Sequence, residues 1–451
     1  MRAYYNAQSG LQFIYSRAAS SSANNMTGTD FMNLIGNDTS KTYYLPDGGQ
    51  FTYKTVFSTA NSTSANYSIT YLAGEVAGSN NNARYTYLLY GGEKGGSSIQ
   101  QYAPDGNGDT NTEQRAITSG SSITFNGDNY IDTSIYAKQT VVLNGGAVVE
   151  GNIISDGYVI INNGTVKKNI CMHTEGSSVS WSQQTEVDGD VIVFGDLTLN
   201  GGTYKGNLWV TGKLTIQGNA AISKNIYAGT IYINSINLSG DAYATGSINR
   251  TGPQYHPNSS VQFPTQCSDI PSIMPRDAPI PSGGADILIQ NQSSYAFDYS
   301  MINDANFHSI DINSMTLNNS GKTMYFYLSS TGPKGNLDDI AIIANSNITF
   351  NKDFAITICL SNDCSQYENF NSSEVSSTMK TYAKYIYLES HGTISFSKGV
   401  NWVGTLYGHN FNLNGNNLIV GSIYSTTNGV TLNNNVNIIT TSSNFVDTYW
   451  K

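Results

Sequence analysis

The stretch that decides the fold runs from residue 191 to residue 223 and reads VIVFGDLTLNGGTYKGNLWVTGKLTIQGNAAIS. Apolar residues in it alternate with polar ones, as in Leu197-Thr198-Leu199-Asn200 and Lys213-Leu214-Thr215-Ile216. Alternation with a period of two is typical of β-strands and not of helices. The pairs Gly201-Gly202 and Gly218-Asn219 follow these strands and supply the positive φ angles that sharp corners need.

The same pattern recurs from Ile135 to Ala244 with a period of about eighteen residues, and a fixed period of this kind indicates stacked units. Three apolar tracks run in step through the repeat. The first track is Ile135, Ile153, Ile170, Val191, Leu208 and Ile226. The second is Leu143, Ile161, Val179, Leu199, Ile216 and Ile233. The third is Val149, Val166, Val187, Tyr204, Ile222 and Leu238.

Three short strands per coil, three apolar tracks and Gly/Asn corners predict a mainly β protein built on a parallel β-helix. One coil cannot bury its inward side chains, whereas stacked coils can, so stability is a sum over neighbouring coils. About a dozen coils, each roughly 4.8 Å from the next, would form a rod of roughly 55–60 Å. A mixed antiparallel barrel has a similar composition but would not keep three tracks in step. Right-handed winding is the default for parallel crossovers.

Composition restricts the classes of function. The charged residues make up 12% of the chain and its net charge is −10. An uncharged polar surface rich in Asn, Ser, Thr, Gly and Tyr favours an exported protein. Nucleic acid is excluded as an expected partner, because phosphate binding needs clusters of Lys and Arg that this sequence lacks.

The four cysteines are Cys171, Cys267, Cys359 and Cys364. None of them has zinc-site spacing. Cys359 and Cys364 are close enough in sequence to form a local disulfide if the protein is exported, with buried free thiols as the alternative. We expect Cys171 and Cys267 to be ordinary buried cysteines.

Residues 2–15, RAYYNAQSGLQFIY, predict a helix, which we place in residues 1–27. This run resembles the second half of the N-terminal helix of type IV pilin-like proteins, although Gln8 stands where that family usually has Glu. The resemblance implies a minor pilin whose helix docks on pilus subunits. We expect the apolar half of such a helix to be trimmed or the start to be misassigned. A lone helix that caps the β-helix is the alternative.

Residues 28–116 predict an antiparallel β meander, with alternating strands at 50–57, 67–72 and 84–90. The loop after Pro104 offers oxygen ligands at alternate positions, which suits calcium, the one cofactor considered. The candidate ligands are Asp105, Asn107, Asp109, Asn111 and Glu113. A plain turn is the alternative, because the EF-hand glycine and the final bidentate Glu are missing.

The β-helix is predicted over residues 117–250, followed by a proline-rich strap at 251–284 and a continuation of the β-helix at 285–451. Proline stays out of central strands, so the strap should leave the β-helix and run along its side, where Cys267 could pin it. A free linker is the alternative. In the last segment the period returns at Leu388, Leu406 and Ile423.

This organisation resembles a group of pilus-assembly proteins, and its β-helix part is similar to bactofilin-type polymer-forming proteins. Tapirins, which are cellulose adhesins, fit the same general description of Asn/Ser/Tyr-rich β-helices. These resemblances imply an extracellular, cell-surface or pilus-associated protein whose β-helix is an adhesive or tip module. A self-polymerising scaffold is a further alternative.

Polysaccharide is the expected ligand, because aromatic side chains on successive coils can form a platform for sugar rings. The candidates are Tyr204, Trp209, Tyr227, Tyr232, Trp402, Tyr407 and Tyr424. Coverage of the core by these rings is the alternative. A β-helix lyase or hydrolase is the alternative function. Asp338-Asp339, His391 and His409 superficially resemble motifs of pectin hydrolases, but the companion motifs are absent, so we expect no catalytic residues and no enzyme.

Overall fold

The computed structural model describes residues 40–44, 49–60, 65–76, 84–93, 115–267, 284–290, 292–298, 301–302, 309–328, 340–360, 363–367, 372–383, 385–397 and 399–440. The predicted N-terminal helix and the predicted calcium loop lie outside these residues. The chain divides into two compact units, of which the first contains an antiparallel meander and the second a parallel β-helix. Within the described ranges, no helix has the length and apolar character needed to cross a bilayer.

The meander has four strands: β1 (Ser40–Tyr44), β2 (Gly49–Ala60), β3 (Ala65–Val76) and β4 (Arg84–Glu93). They form an antiparallel sheet in sequence order. The hydroxyl groups of Thr42 and Thr52 lie 2.8 Å apart across β1 and β2. The predicted fold class, a parallel β-helix accompanied by an antiparallel meander, is confirmed.

The β-helix is built from two halves of the chain. The first half contains β5 (Arg115–Ser119), β6 (Ile123–Asn126), β7 (Tyr130–Ile131), β8 (Ser134–Ala137), β9 (Val141–Asn144), β10 (Ala147–Val149), β11 (Ile153–Ser155), β12 (Val159–Ile161), β13 (Gly164–Val166), β14 (Ile170–Trp181), β15 (Thr185–Val187), β16 (Val191–Leu199), β17 (Gly202–Tyr204), β18 (Leu208–Ile216), β19 (Ala220–Ile222), β20 (Ile226–Ile233), β21 (Ile236–Leu238), β22 (Ala242–Ala244) and β23 (Tyr255–His256).

The second half contains β24 (Asp286–Ile289), β25 (Ser294–Phe297), β26 (Ser309–Ile312), β27 (Ser314–Leu317), β28 (Lys322–Leu328), β29 (Ile340–Ala344), β30 (Ile348–Phe350), β31 (Phe354–Leu360), β32 (Asp363–Tyr367), β33 (Ile386–Phe396), β34 (Asn401–Val403), β35 (Thr405–Asn414), β36 (Leu418–Val420), β37 (Ile423–Asn433) and β38 (Asn437–Ile439). It also contains a 3₁₀ turn, Ser372–Glu374, and a short helix α1, Ser377–Ala383.

The three predicted tracks lie on three walls of parallel strands. In the first wall, Ile135, Ile153, Ile170 and Val191 are paired in register on successive coils and are fully buried. Long strands such as β16 and β18 continue from the first wall into the second, and a half-exposed Gly-containing corner separates their two alternating stretches. The third wall carries the short strands from β7 to β21 and from β34 to β38. The inward aliphatic side chains therefore form one continuous core.

The order of the coils along the axis is not the order of the sequence. Strand β37, near the end of the chain, pairs with β35 on one side and with β5 and β6 on the other. The second half of the chain is thus stacked beneath the first coil, and the polypeptide enters the β-helix in the middle of the stack. We call the junction between β37–β38 and β5–β7 the seam.

The seam is closed by parallel ladders of the same kind as those between consecutive coils. Across it, Ile423 is in register with Ile117 and Ile438 with Ile131. The backbone N–H of Val436 donates to the side-chain oxygen of Asn129 at 2.9 Å. These partners are separated by 307 residues in the sequence. The seam therefore joins the halves by main-chain ladders and by buried side-chain caps, which satisfy backbone groups that water cannot reach.

The described part of the strap, as far as Cys267, packs against the first wall. Cys267 forms a disulfide with Cys171. Both are buried in a cluster with Tyr136 and Ile154 on the outer side of the first wall. The expectation that Cys171 and Cys267 are unpaired was wrong. The repeat does not predict this pairing, because Cys171 and Cys267 are separated by 96 residues and come together only where the strap packs beside β14.

Cys359 and Cys364 form the second disulfide, which is the pairing that their spacing predicts. They face each other across the antiparallel strands β31 and β32. These strands belong to a separate sheet in which β25, β28 and β31 are parallel.

Candidate functional site

The second wall presents a column of outward side chains that runs through both halves of the β-helix. We call it the central column. Strand register places one of its members on each coil, in the axial order Leu288, Thr316, Thr349, Ser395, Asn412, Thr431, Thr124, Val142, Ile160, Ser180, Thr198, Thr215 and Tyr232. All of these side chains are exposed or half-exposed. Neighbouring members are separated by the strand spacing of about 4.8 Å.

Beside the central column runs an asparagine ladder, which consists of Asn414, Asn433, Asn126, Asn144 and Asn162. Each carboxamide nitrogen donates to the oxygen of the asparagine one coil below, at distances of 2.7, 2.8, 3.1 and 2.7 Å from Asn433 up to Asn162. A carboxamide has two N–H donors and two acceptor lone pairs. Asn126 and Asn144 therefore each keep one donor and one acceptor position for a partner, whereas Asn433 also donates to Asn412 at 3.4 Å. The ladder crosses the seam, so the seam does not interrupt this surface.

The second wall is the one wall whose outward residues stay accessible along the described coils. On the first wall, the outward residues Tyr136 and Ile154 are buried beside Cys267 of the strap, at 1% and 2% exposure. On the third wall of the second half, α1 packs over β34 and β36 and buries Met379. A flat, uncovered face of this length is a surface on which an extended partner can lie.

The central column carries no charged side chain. The next outward column on the second wall includes Asp196, Lys213 and, at the bottom end, Asp286. The Ser314 hydroxyl and the Asn313 carboxamide donate to Asp286 at 2.6 and 2.8 Å. These hydrogen bonds lower the pKa of the Asp286 carboxyl group, which therefore stays ionised at neutral pH. Charge is thus kept away from the middle of the surface, which suits a neutral partner better than an acidic one.

Three of the predicted platform residues are wrong, because Tyr204, Trp402 and Tyr407 are buried, with exposures of 0%, 0% and 1%. Tyr204 stacks on Trp181 inside the coils, and its hydroxyl donates to the carbonyl of Gly201 at 3.1 Å. Burial raises the pKa of Tyr204. Tyr204 belongs to the third track, whose side chains point inward. Its position in the strand alternation therefore makes it a core residue and not a surface residue.

Trp209 and Tyr227 do lie together on the outer side of the first wall, but their rings cover each other. Their centroids are 3.9 Å apart at an interplanar angle of 11°, and the stack continues through Tyr243 to His256. A sugar ring needs an exposed aromatic face, whereas this stack presents ring edges. It strengthens the contact between coils and does not form the predicted platform.

The two remaining candidates lie apart from each other. Tyr232 is 45% exposed at the top of the central column, with the Lys213 ammonium group 5.9 Å from its ring centroid. Tyr424 is half-buried and stacks on Tyr407 with a centroid distance of 6.2 Å. Of the predicted residues, Tyr232 alone lies on the second wall.

The sequence signal for the central column is a pattern of polar residues and not of aromatic ones. In Thr124-Phe125-Asn126, Thr198-Leu199-Asn200 and Thr431-Leu432-Asn433, the middle residue is inward and both neighbours face outward. Their polar residues are the surface of the second wall.

The histidine that superficially resembles a hydrolase motif lies in a covered position. The Nε2 atom of His391 is 2.9 Å from the Glu389 carboxylate, and the Glu389 and His391 side chains are 1% and 6% exposed. The Tyr387 hydroxyl donates to the same carboxylate at 2.6 Å. Substrate cannot reach a carboxylate that is buried in this way. The predicted Asp338-Asp339 pair lies outside the described residues.

No protein-family model, curated protein or solved structure matches this chain. In the described part of the chain, no three metal-ligating side chains come together. The geometry of the second wall is therefore the basis for the functional argument.

Proposed function

We propose that this protein is an extracellular, pilus-associated surface protein of the minor-pilin kind, and that its β-helix is an adhesive module for polysaccharide. The second wall carries this proposal, because along the described coils it is long, flat, accessible and lined mainly by hydroxyl and carboxamide groups. Polysaccharide chains are extended and rich in hydroxyl groups, so they can exchange hydrogen bonds with such a surface on coil after coil. Many weak contacts along a rigid array add up to useful avidity.

Export is supported by the cysteine chemistry. Cys171 pairs with Cys267, and Cys359 with Cys364, so that all four cysteines are in disulfides. Disulfides form and persist in oxidising compartments and are rare in reducing ones. Docking on pilus subunits rests on the resemblance of residues 2–15 to pilin-like helices.

The adhesive role is tested by introducing bulky charge onto the second wall. Thr124→Arg together with Thr215→Arg should weaken binding to an insoluble neutral polysaccharide at least about tenfold, because two arginines lift the ligand from the flat surface and remove hydroxyl contacts. The measurement is a depletion isotherm with purified protein and polysaccharide particles, combined with an assay for released reducing ends. Release of sugar by the wild-type protein would favour the enzyme alternative.

The matched control is Thr165→Arg together with Thr203→Arg. These threonines face outward on the third wall and are half-exposed. The control adds the same charge to the same kind of strand position. Equal losses in both variants would mean that net charge and not the second wall controls binding, and absence of binding by the wild-type protein would refute the proposal.

A further inference from the structure

In the interior of the central column, apolar side chains occur at one place, whereas Leu288 lies apart from it at the bottom end. Val142 and Ile160 are adjacent on neighbouring coils, with Thr124 in register on one side of them. Tyr158 precedes Ile160 by two residues on the same face and is 38% exposed. Ile160 is partly exposed while its other side packs on the core. Val142, Ile160 and Tyr158 together form an apolar cluster, which we call the patch. It is bordered by polar members of the central column.

The patch lies beside the upper end of the asparagine ladder. Asn144 follows Val142 by two residues in β9, and Asn162 follows Ile160 by two residues just after the end of β12, so each pair lies roughly 7 Å apart. The Asn162 nitrogen donates to Asn144 at 2.7 Å, and Asn162 is the last member of the ladder. Its carboxamide oxygen accepts no hydrogen bond within the described part of the chain, and this residue is exposed. Donors and an acceptor therefore line one edge of the patch.

This combination matches the surface of a neutral pyranose ring. Such a ring has C–H groups on its faces, which lie favourably on apolar side chains, and hydroxyl groups around its edge, which both donate and accept hydrogen bonds. An acidic sugar fits less well, because the patch contains no cation and a carboxylate on it would lose water without gaining a partner. Hydrogen bonds from polar side chains to a sugar replace hydrogen bonds to water, so by themselves they add little binding free energy. Burial of apolar area adds more, and it is available on the second wall at the patch.

We infer that Val142, Ile160, Tyr158, Asn144 and Asn162 form the subsite of the second wall that holds a neutral pyranose ring. The C–H face of the ring lies on Val142 and Ile160, and its hydroxyl edge exchanges hydrogen bonds with the two carboxamides. This inference rests on the proposed function and adds to it the position of the strongest contact and the neutral class of the sugar.

The test compares substitutions that keep the wall flat. Val142→Thr together with Ile160→Thr gives these two positions the residue type of their neighbour Thr124 and suits a strand, so folding is retained. We expect this variant to bind a neutral β-glucan or a neutral galactomannan about tenfold more weakly than the wild-type protein, as measured by retardation in native affinity gels. Asn162→Ala should weaken binding about three- to tenfold.

The control is Val148→Thr, which makes the same change at a half-exposed outward position on the third wall and should leave retardation unchanged. If the double threonine variant is retarded like the wild-type protein while Thr124→Arg with Thr215→Arg is not, the subsite is wrong and the adhesive role of the second wall stands. Retardation by acidic polygalacturonate in preference to neutral polymers overturns the inferred neutral class. A wild-type protein that none of the polymers retards overturns both the subsite and the proposed function.

Discussion

Gly120→Ala is expected to destabilise the β-helix by about 3 kcal/mol or more, because no space exists for a methyl group at the seam. A Cβ atom at this position would lie 2.0 Å from the carbonyl oxygen of Thr426 and 2.9 Å from its carbonyl carbon. Both are backbone atoms, so the clash cannot be relieved by rotation of a flexible side chain. Relief of the clash requires the backbones of the two coils to move apart. This movement would stretch the hydrogen bond from the Gly120 N–H to the Ser425 carbonyl, which is 2.7 Å long.

Gly120→Ala should weaken the whole junction between the two halves of the β-helix, and not only the backbone around residue 120. The seam is the junction that joins the two halves of the stack, and stability in a solenoid depends on contacts between neighbouring coils. If β5 and β37 are forced apart, the second half loses its neighbour above and the first half loses its neighbour below. We therefore expect urea unfolding of the variant to begin at a lower concentration and to separate into two transitions, followed by circular dichroism.

Gly321→Ala is the control for this experiment. Gly321 has a φ of +68°, and no atom lies within 4 Å of a Cβ placed on it. Alanine there carries only the cost of a left-handed backbone conformation, about 1–2 kcal/mol. Similar midpoints for the two variants would contradict the tightness of the seam that the backbone distances indicate.

The second large effect is expected when the disulfide of the strap is removed. The bond between Cys171 and Cys267 closes a loop with a sequence separation of 96 residues. Restricting a loop of about 100 residues stabilises the folded state by up to about 4.7 kcal/mol in the chain-entropy model. Cys171→Ser together with Cys267→Ser should lower the free energy of unfolding by about 3–5 kcal/mol, measured by urea denaturation.

The other disulfide provides an internal comparison. Cys359 and Cys364 are separated by only 5 residues, so the same model assigns their bond about 2 kcal/mol. Their double serine variant should be clearly more stable than the strap variant. Neutral polysaccharide binding should be retained by both, since neither pair lies on the second wall. If the two double serine variants were equally stable, the strap would be held by its packing on Tyr136 and Ile154 and not by the covalent bond.

The sequence predicted the candidate site only in part. Trp402 and Tyr407 are aromatic residues that the sequence predicts on a surface, although both are buried. Whether an outward residue remains exposed depends on what covers its wall, and the strap, which is remote in sequence, covers part of the first wall. The accessible residues of the second wall are threonines and asparagines, whose sequence signal is the ordinary polar half of a strand alternation. Nothing local distinguishes a binding surface from a merely solvated one.

By itself, the sequence determined the walls of this protein. The period-two alternation sets which side chains point inward, and the recurrence of Ile135, Ile153 and Ile170 sets which of them share a wall, because each inward aliphatic needs a neighbour above and below. Only the tertiary structure decided the order of the coils. The exposed edge of one coil can pair with any coil of similar width, so local pattern cannot tell that β37 belongs beneath β5. The backbone pairing at the seam selects that order, and it makes one surface from two distant parts of the chain.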